Sequence, residues 1–294
     1  MKICSFLPSG AEILFALSLG DSVVGVTDKC DYPAEAQTKP VVVHSKLPSH
    51  LSEREINHQV KLSSHAGRSL YRLDEEKLEQ TRPDLIVTQH LCHVCAASPD
   101  DLGSVLARLS SRPNVLTLSP QTISEIWDNI LEVGRAAGRI REARALVTRL
   151  TAQISKPAAR NMGLPVRVLC LEWLDPPFVA GHWVPEMVAL AGGIDVLGEE
   201  GKPGYEVDWQ TLVDIDPDVI LAMPCGYHLP EVERELREVP FPSEWNSLRA
   251  VRTRSVFAMD SSSHFSRPGP RIADGIVELR ELFDRVKRTG PKKP

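Results

Sequence analysis

The densest group of side chains that could do chemistry is His90, Cys92, His93 and Cys95, just after an apolar run at 84–88 that predicts a buried strand. Thiolate and imidazole are zinc ligands, and a Cys-x-x-Cys pair can also form a reversible disulfide. Structural zinc needs four ligands, however, and no second pair of Cys or His follows at usable spacing. The pattern favours a ligand-binding loop at the carboxyl end of a strand. A metal site and a redox pair stay open as alternatives.

Aromatic residues form the second informative group, because the chain has only 5 Trp, 4 Tyr and 7 Phe. A core holds its rings inside strands or on helix faces, whereas many of these rings follow predicted strands. If two lobes face each other, rings at their strand ends would line a cleft suited to a large, flat, partly apolar ligand. Local packing is the competing interpretation for each ring. The rings concerned are Tyr32, Trp173, Phe178, Trp183, Tyr205, Tyr227 and Phe265.

Catalytic and nucleic-acid-binding functions find little support. Phosphate-binding G-x-x-x-x-G-K, dinucleotide-binding G-x-G-x-x-G, G-x-S-x-G and H-E-x-x-H motifs are all absent from the sequence. The 34 Lys and Arg against 39 Asp and Glu give a formal net charge of −5, which argues against a nucleic-acid partner. No stretch approaches the roughly 20 apolar residues of a membrane span. We therefore expect neither an enzyme nor membrane insertion.

The elements that must position these residues alternate between strand and helix along the chain, which predicts α/β architecture with parallel sheets. Residues 78–87 resemble residues 212–221, since both read as a helix end, Pro-Asp and a buried strand. This internal similarity predicts two related lobes, each a doubly wound parallel sheet.

Between the halves, Thr122 and Glu125 form a capping box, and apolar residues recur at helical spacing as far as Ile154. The prediction is a single long α-helix of about 50 Å joining the lobes. Two helices broken near Gly138 are the alternative. The predicted domains are an N-terminal lobe at 1–119, a linking helix at 120–156, a C-terminal lobe at 157–288 and a frayed tail at 289–294.

Several longer motifs carry a family resemblance: residues 2–21, 24–27, 30–36, 89–96, 175–181, 191–193 and 265–271. Together they resemble the Fe/cobalamin substrate-binding proteins of ABC importers, most closely the cobalamin-binding branch, over residues 2 to about 283. The family's fold is two α/β lobes joined by one long helix. The resemblance implies that Tyr32 and Phe178 face the ligand and that Phe265 lies near the cleft.

The expected function is non-catalytic binding of a corrinoid, cobalamin first, in a cleft between the lobes. Cobalamin would be the bound ligand, and no cofactor or resident metal is expected. Arg267 or backbone groups would bind its polar substituents, and a histidine could ligate cobalt, with His65, His90, His182, His228 and His264 as candidates. The predicted ligand-binding residues are Tyr32, His65, Gln89, His90, Trp173, Phe178, His182, Trp183, Tyr205, Tyr227, Phe265 and Arg267.

Two other functions stay open. A ferric-siderophore or haem binder is one, although anionic siderophores favour clustered basic residues, and the loops offer few apart from Arg68 and Arg267. A cytoplasmic metal-handling protein or enzyme using His90, Cys92, His93 and Cys95 is the other.

The predicted partner is the ligand, with an ABC permease left open as a second partner, and the protein is expected to be a monomer. Residues 1–8 show no export signal, so the sequence as written predicts a cytoplasmic protein. A periplasmic or extracytoplasmic location is expected if an export segment precedes it.

Overall fold

The computed structural model describes residues 1–48, 51–66, 69–89, 105–106, 108–155 and 164–289. The chain forms two compact units. Unit 1 comprises Met1–Pro120 and Glu125–Thr148, and unit 2 comprises Gln121–Ser124 and the chain from Arg149 onward. Within the described residues, no helix is both long enough and apolar enough to cross a bilayer.

Unit 1 is built on a six-stranded sheet with the order β4-β3-β2-β1-β5-β6, in which only β4 runs antiparallel to its neighbour. The central strands β1 and β5 are completely buried, as expected for parallel strands covered on both faces. The strands are β1 (Ile3–Ser5), β2 (Val23–Thr27), β3 (Val41–Ser45), β4 (Tyr71–Leu73), β5 (Leu85–Gln89) and β6 (Asn114–Leu118), and the first helices are α1 (Pro8–Ala16), α2 (Glu53–His65) and α3 (Glu75–Thr81).

Unit 2 holds a second sheet with the order β10-β8-β7-β11-β12, and β9 also pairs with β7. The pairs β7–β11, β11–β12 and β7–β9 are parallel, whereas β7–β8 and β8–β10 are antiparallel. The strands are β7 (Val166–Leu174), β8 (Pro177–Val179), β9 (Gly193–Asp195), β10 (Tyr205–Glu206), β11 (Val219–Ala222) and β12 (Val256–Ala258). The predicted pair of α/β lobes with doubly wound, largely parallel sheets is confirmed.

The helices that follow the linking segment belong to unit 2. They are α6 (Val184–Leu190), α7 (Trp209–Ile215), α8 (Leu229–Glu238), α9 (Arg249–Arg252), α10 (Ser261–His264) and α11 (Ile272–Thr289).

The internal similarity of the sequence corresponds to the same local structure in both units. Helix α3 ends at Arg82 with φ 46°, and α7 ends at Asp216 with φ 44°; both residues precede a Pro-Asp pair. The aspartates then make matching bonds, because the backbone N–H of Lys2 donates to Asp84 at 2.7 Å and that of Arg167 donates to Asp218 at 3.2 Å. Each aspartate therefore fixes the start of a central strand beside its own.

The prediction of a single linking helix is wrong. Residues 122–154 form two helices, α4 (Ile123–Ala136) and α5 (Ile140–Ile154), as in the alternative with a break near Gly138. Gly138 has φ 70°, its N–H donates to the Arg135 carbonyl, and the Arg139 N–H donates to the Gly134 carbonyl. This is a Schellman motif, a helix ending that strongly favours glycine at the left-handed position. Apolar spacing continued through the break, so the periodicity alone did not reveal it.

The replacement Gly138→Ala tests this helix end, because it should change the free energy of unfolding in opposite directions in a broken and in a continuous helix. A Cβ at Gly138 would meet no atom within 4 Å, so only the left-handed backbone opposes it. We expect the free energy of unfolding, measured by urea titration, to fall by about 1–2 kcal/mol. In a continuous helix the same change would raise it by about 0.5–1 kcal/mol. Gly138→Asn is the control. It should lose less unfolding free energy than Gly138→Ala, because Asn tolerates the left-handed conformation.

Candidate functional site

In unit 1, the carboxyl ends of β2 and β3 are joined through Asp28. Its carboxylate accepts hydrogen bonds from the Ser45 backbone N–H at 3.0 Å and from the Thr27 hydroxyl at 3.3 Å. Its own N–H donates to the carbonyl of Val43. These bonds fix the loop that begins after β2. In open α/β sheets ligands bind at this end of the strands.

Two of the predicted ligand-binding residues of unit 1 lie at this end. Tyr32 follows β2, precedes Pro33 through a cis peptide bond, and leaves 48% of its surface exposed. Gln89 is the last residue of β5 and is 4% exposed, and its side-chain amide nitrogen has no hydrogen-bond partner among the described residues. Tyr32 thus keeps about half of its surface exposed. Gln89 is buried, so the structure does not support the ligand contact expected for it.

Other predicted residues of unit 1 lie outside the described part of the structure. His65 ends α2, but its side chain is not among those described. His90, Cys92, His93 and Cys95 fall within the undescribed range 90–104. The metal-handling alternative built on these four residues therefore stays a prediction.

In unit 2, the carboxyl ends of the three parallel strands are tied together by backbone hydrogen bonds. The Met223 N–H donates to Leu171 at 2.8 Å, the Cys225 N–H donates to Glu172 at 3.1 Å, and the Met259 N–H donates to Ala222 at 2.9 Å. The loops after β11 and β12 therefore begin from fixed positions beside the end of β7.

Three partly exposed rings are positioned by these strand ends. Trp173 and Tyr227 lie with ring centroids 5.9 Å apart and ring planes inclined by 60°. Phe178 on β8 pairs in register with Trp173 across the β7–β8 hairpin, so the two side chains lie on one face of the sheet. We call Trp173, Phe178 and Tyr227 the edge aromatics. All three are half-buried, and Tyr227 also packs against the hydrophobic core of this unit.

A polar pair adjoins the edge aromatics. The His228 ring nitrogen Nδ1 lies 3.1 Å from the Asp260 oxygen Oδ1, and the same oxygen accepts the Ser263 backbone N–H at 3.0 Å. The Ser262 backbone N–H donates to the Tyr227 carbonyl at 2.9 Å. The loops after β11 and β12 are therefore joined twice. Asp260 was not among the predicted residues, although Asp followed by three Ser after a strand is typical of a helix N-cap.

The structure corrects the role expected for Trp183 and Phe265. Trp183 is 4% exposed and Phe265 is 1% exposed, so neither ring offers a surface to a ligand. The Trp183 indole N–H donates to the Phe265 carbonyl at 2.7 Å. Both are interior residues that hold the start of α6 against the chain after α10. An indole with its hydrogen-bond donor satisfied is suited to such a position.

The remaining predicted residues of unit 2 are partly exposed but are anchored elsewhere. His182, at φ 53°, has Nδ1 2.7 Å from the Gln121 side-chain oxygen, and burial lowers its pKa. The Tyr205 hydroxyl donates to the Leu197 carbonyl at 3.1 Å. Partial burial and nearby negative charges raise the pKa of this phenol. Arg267 is half-buried just after Phe265.

The family is decided by the match of a model described as "Periplasmic binding protein" to residues 3–263. The chain belongs to this family. It is 25% identical over 291 residues to the vitamin B12-binding protein of Vibrio cholerae, covering 95% of this chain and 87% of the relative. It is also 25% identical over 299 residues to YvrC, an ABC transporter substrate-binding lipoprotein of Bacillus subtilis, covering 95% and 79%.

Solved structures show the same fold. The periplasmic heme-binding protein RhuT from Roseiflexus sp. RS-1 aligns with a TM-score of 0.70 at 24% identity, covering 96% of this chain and 97% of RhuT. The vitamin B12-binding protein BtuF of Vibrio cholerae aligns with a TM-score of 0.65 at 20% identity, covering 98% of each chain. As a periplasmic binding protein, the chain is built to hold a solute. Among the described residues there is no group of three or more His, Cys, Asp or Glu that could hold a metal ion.

The interior role of Trp183 predicts a loss of stability in Trp183→Phe. The change leaves the buried Phe265 carbonyl without its donor, which costs about 1–3 kcal/mol of unfolding free energy. Urea titration should show this loss, with Trp173→Phe as the matched control, because Trp173 is only half-buried. Equal losses in the two variants would contradict the interior assignment.

A second prediction concerns His264, whose Nδ1 lies 2.8 Å from a Glu278 carboxylate oxygen. That hydrogen bond raises the pKa of His264 above its ordinary value. The folded state therefore binds the proton more tightly, and the resulting stability is fully present below the unfolded-state pKa of about 6.5. It is lost as pH rises through the folded-state pKa. The difference in unfolding free energy between the wild type and His264→Gln should thus be larger at acidic than at alkaline pH. A difference that grows with rising pH would contradict this sign.

Proposed function

We propose that this periplasmic binding protein is the solute-binding component of an ABC importer and that its solute is a corrinoid, with cobalamin as the first candidate. The protein would bind without catalysis, act outside the cytoplasm and deliver the corrinoid to a membrane permease. Cobalamin is then cargo, bound and released unchanged.

The observation that carries this proposal is the set of edge aromatics. A corrin is a broad, largely apolar ring system with polar amide groups at its rim. Partly exposed aromatic rings suit its face, since stacking on a ring contributes about 0.5–1.5 kcal/mol beyond the burial of area. Trp173 and Tyr227 are inclined by 60°, so one ring can stack on the macrocycle while the other packs against its rim.

Polar side chains in the loops of unit 2 would suit the rim of a corrin. Arg267, half-buried after Phe265, would bind amide oxygens. Full-length similarity to the Vibrio cholerae vitamin B12-binding protein supports the choice of a corrinoid.

Haem is the second candidate. The edge aromatics would stack equally well on a porphyrin, and RhuT, which shares the fold, is described as heme-binding. Haem differs in carrying two carboxylates, which favour basic partners. Parallel calorimetric titrations with cyanocobalamin and with haemin separate the two. We expect saturable one-to-one binding of cyanocobalamin, and saturation by haemin alone would favour the second candidate.

The variant Trp173→Ala tests the role of the edge aromatics. We expect the Kd for cyanocobalamin to rise about 10- to 30-fold, since removal of a stacked ring costs about 1.5–2 kcal/mol of binding free energy. Trp209→Ala is the matched control. Trp209 packs at 5.9 Å against both Phe241 and Trp245, so its loss should lower stability and leave the Kd unchanged. An unchanged Kd in folded Trp173→Ala would contradict the proposed binding surface.

A further inference from the structure

We propose that Asp195 is a pH-sensitive clasp on the loop between β9 and β10, closed in acid and loosened as the pH rises. The loop comprises residues 196–204, between Asp195 at the end of β9 and Tyr205 at the start of β10. The clasp lies within unit 2 and does not depend on which solute the protein binds.

One oxygen of Asp195 holds the first turn of the loop. Oδ1 accepts the backbone N–H of Leu197 at 3.1 Å and that of Gly198 at 2.8 Å. The Tyr205 hydroxyl donates to the Leu197 carbonyl at 3.1 Å, so the turn is also bonded to the far end of the loop. Asp195 itself pairs in register with Val168 on the central strand β7. The carboxyl thus joins the loop to the middle of the sheet.

The other oxygen of Asp195 is in a different situation. Oδ2 is shielded from solvent and has no hydrogen-bond partner among the described residues. The thiol of the fully buried Cys170 on β7 adjoins the carboxyl but brings no positive charge. An ionised Asp195 would therefore keep one oxygen away from both water and donors, which is costly, whereas a neutral carboxylic acid avoids this cost. Burial accordingly raises the pKa of Asp195, although the two N–H bonds oppose the shift.

Close packing of the loop keeps water away from Oδ2. A Cβ at Gly198 would lie 2.7 Å from Oδ2 and 2.7 Å from the Ala180 carbonyl oxygen just after β8. A Cβ at Gly204 would collide with the Glu172 side chain of β7. Both ends of the loop therefore lie directly against the β7–β8 hairpin. Water reaches Oδ2 when the loop moves away from it.

The direction of the pH dependence follows from this burial. With the loop open, Asp195 is solvated and has the ordinary pKa of about 3.9. With the loop closed its pKa is higher, so the closed loop binds the proton more tightly. The closing free energy is fully present below the open-state pKa and falls as the pH rises to the closed-state pKa. Above that value it is constant.

Three other titratable groups lie around the clasp: Cys170 on β7, Tyr205 on β10 and Glu199 within the loop. Burial and the Asp195 charge raise the pKa of Cys170. Burial and the negative charges of Glu199 and Asp195 raise the pKa of Tyr205. Both groups thus stay neutral from acid to neutral pH. Asp195 is the group whose charge changes beneath the loop in this range.

The clasp adjoins the strand that carries one of the edge aromatics. Strand β10 pairs antiparallel with β8, with Tyr205 opposite Val179 and Glu206 opposite Phe178. When the loop opens, the start of β10 loses the hydrogen bond from Tyr205 to Leu197. Opening of this kind is local, since the rest of the sheet keeps its own pairing.

Hydrogen exchange at the Leu197 and Gly198 amides of the full chain tests the clasp, with rates corrected for the intrinsic effect of pH. Asp195→Asn keeps the accepting oxygen and cannot ionise. Between pH 4 and pH 8, protection of the two amides in the wild type should fall about tenfold for each unit by which the closed-state pKa of Asp195 exceeds its open-state pKa. In Asp195→Asn the protection should stay constant.

Asp208→Asn is the matched control. Oδ1 of Asp208 also accepts a backbone N–H, that of Thr211 at 2.8 Å, but Asp208 is exposed and its hydrogen bonds lower its pKa. This variant should show the same fall in protection at Leu197 and Gly198 as the wild type. An equal fall in Asp195→Asn would overturn the clasp. So would lower protection in Asp195→Asn than in the wild type at every pH, because the carboxylate charge would then be what holds the turn.

A measurement on the wild type alone keeps the proposal testable if Asp195→Asn fails to fold. The carboxyl carbon of Asp195 is followed by NMR as the pH is raised. Its midpoint should lie above 3.9, the ordinary value for Asp, and the protection of Leu197 and Gly198 should fall over the same pH range. A midpoint at or below 3.9 would contradict the clasp.

Discussion

The parallel pairing of buried strands, β1 with β5 in unit 1 and β7 with β11 in unit 2, is the constraint on which the rest of the structure depends. In β1, β5 and β11 every residue is buried, so these strands must be covered by helices on both faces. The connections between parallel strands then leave the carboxyl ends of those strands at one edge of each sheet. Loops placed at that edge are free to carry polar and aromatic groups.

The two units secure this pairing by the same local device. A helix ends in a left-handed residue, a Pro-Asp pair follows, and the aspartate accepts a backbone N–H next to the start of the neighbouring central strand. Asp84 and Asp218 therefore set where β5 and β11 start relative to β1 and β7. That alignment in turn determines where Gln89 and the loop containing Tyr227 emerge.

The binding surface proposed for unit 2 depends on a division between rings that pack and rings that stay partly exposed. Trp183 and Phe265 are committed to the interior and hold the neighbouring loops through one indole hydrogen bond. Because those loops are held, Trp173, Phe178 and Tyr227 can keep ring surface exposed at the strand ends. The His228–Asp260 pair follows the same principle, since an oriented imidazole requires that its carboxylate be fixed by a helix start.

The sequence by itself determined the alternation of strand and helix, the two related α/β halves and the region of the strand-end loops, because local spacing, caps and Pro-Asp pairs are encoded by neighbours along the chain. It also indicated Trp173, Phe178 and Tyr227 as residues near strand ends. Only the tertiary structure decided that Trp183 and Phe265 are buried, that Asp260 meets His228, which lies 32 positions earlier, and that the linking segment breaks at Gly138. The first two depend on which distant segments pack together. The break of the linking segment was indicated in the sequence only by Gly138. The spacing of the apolar residues continues across the turn and is therefore the same as in an unbroken helix.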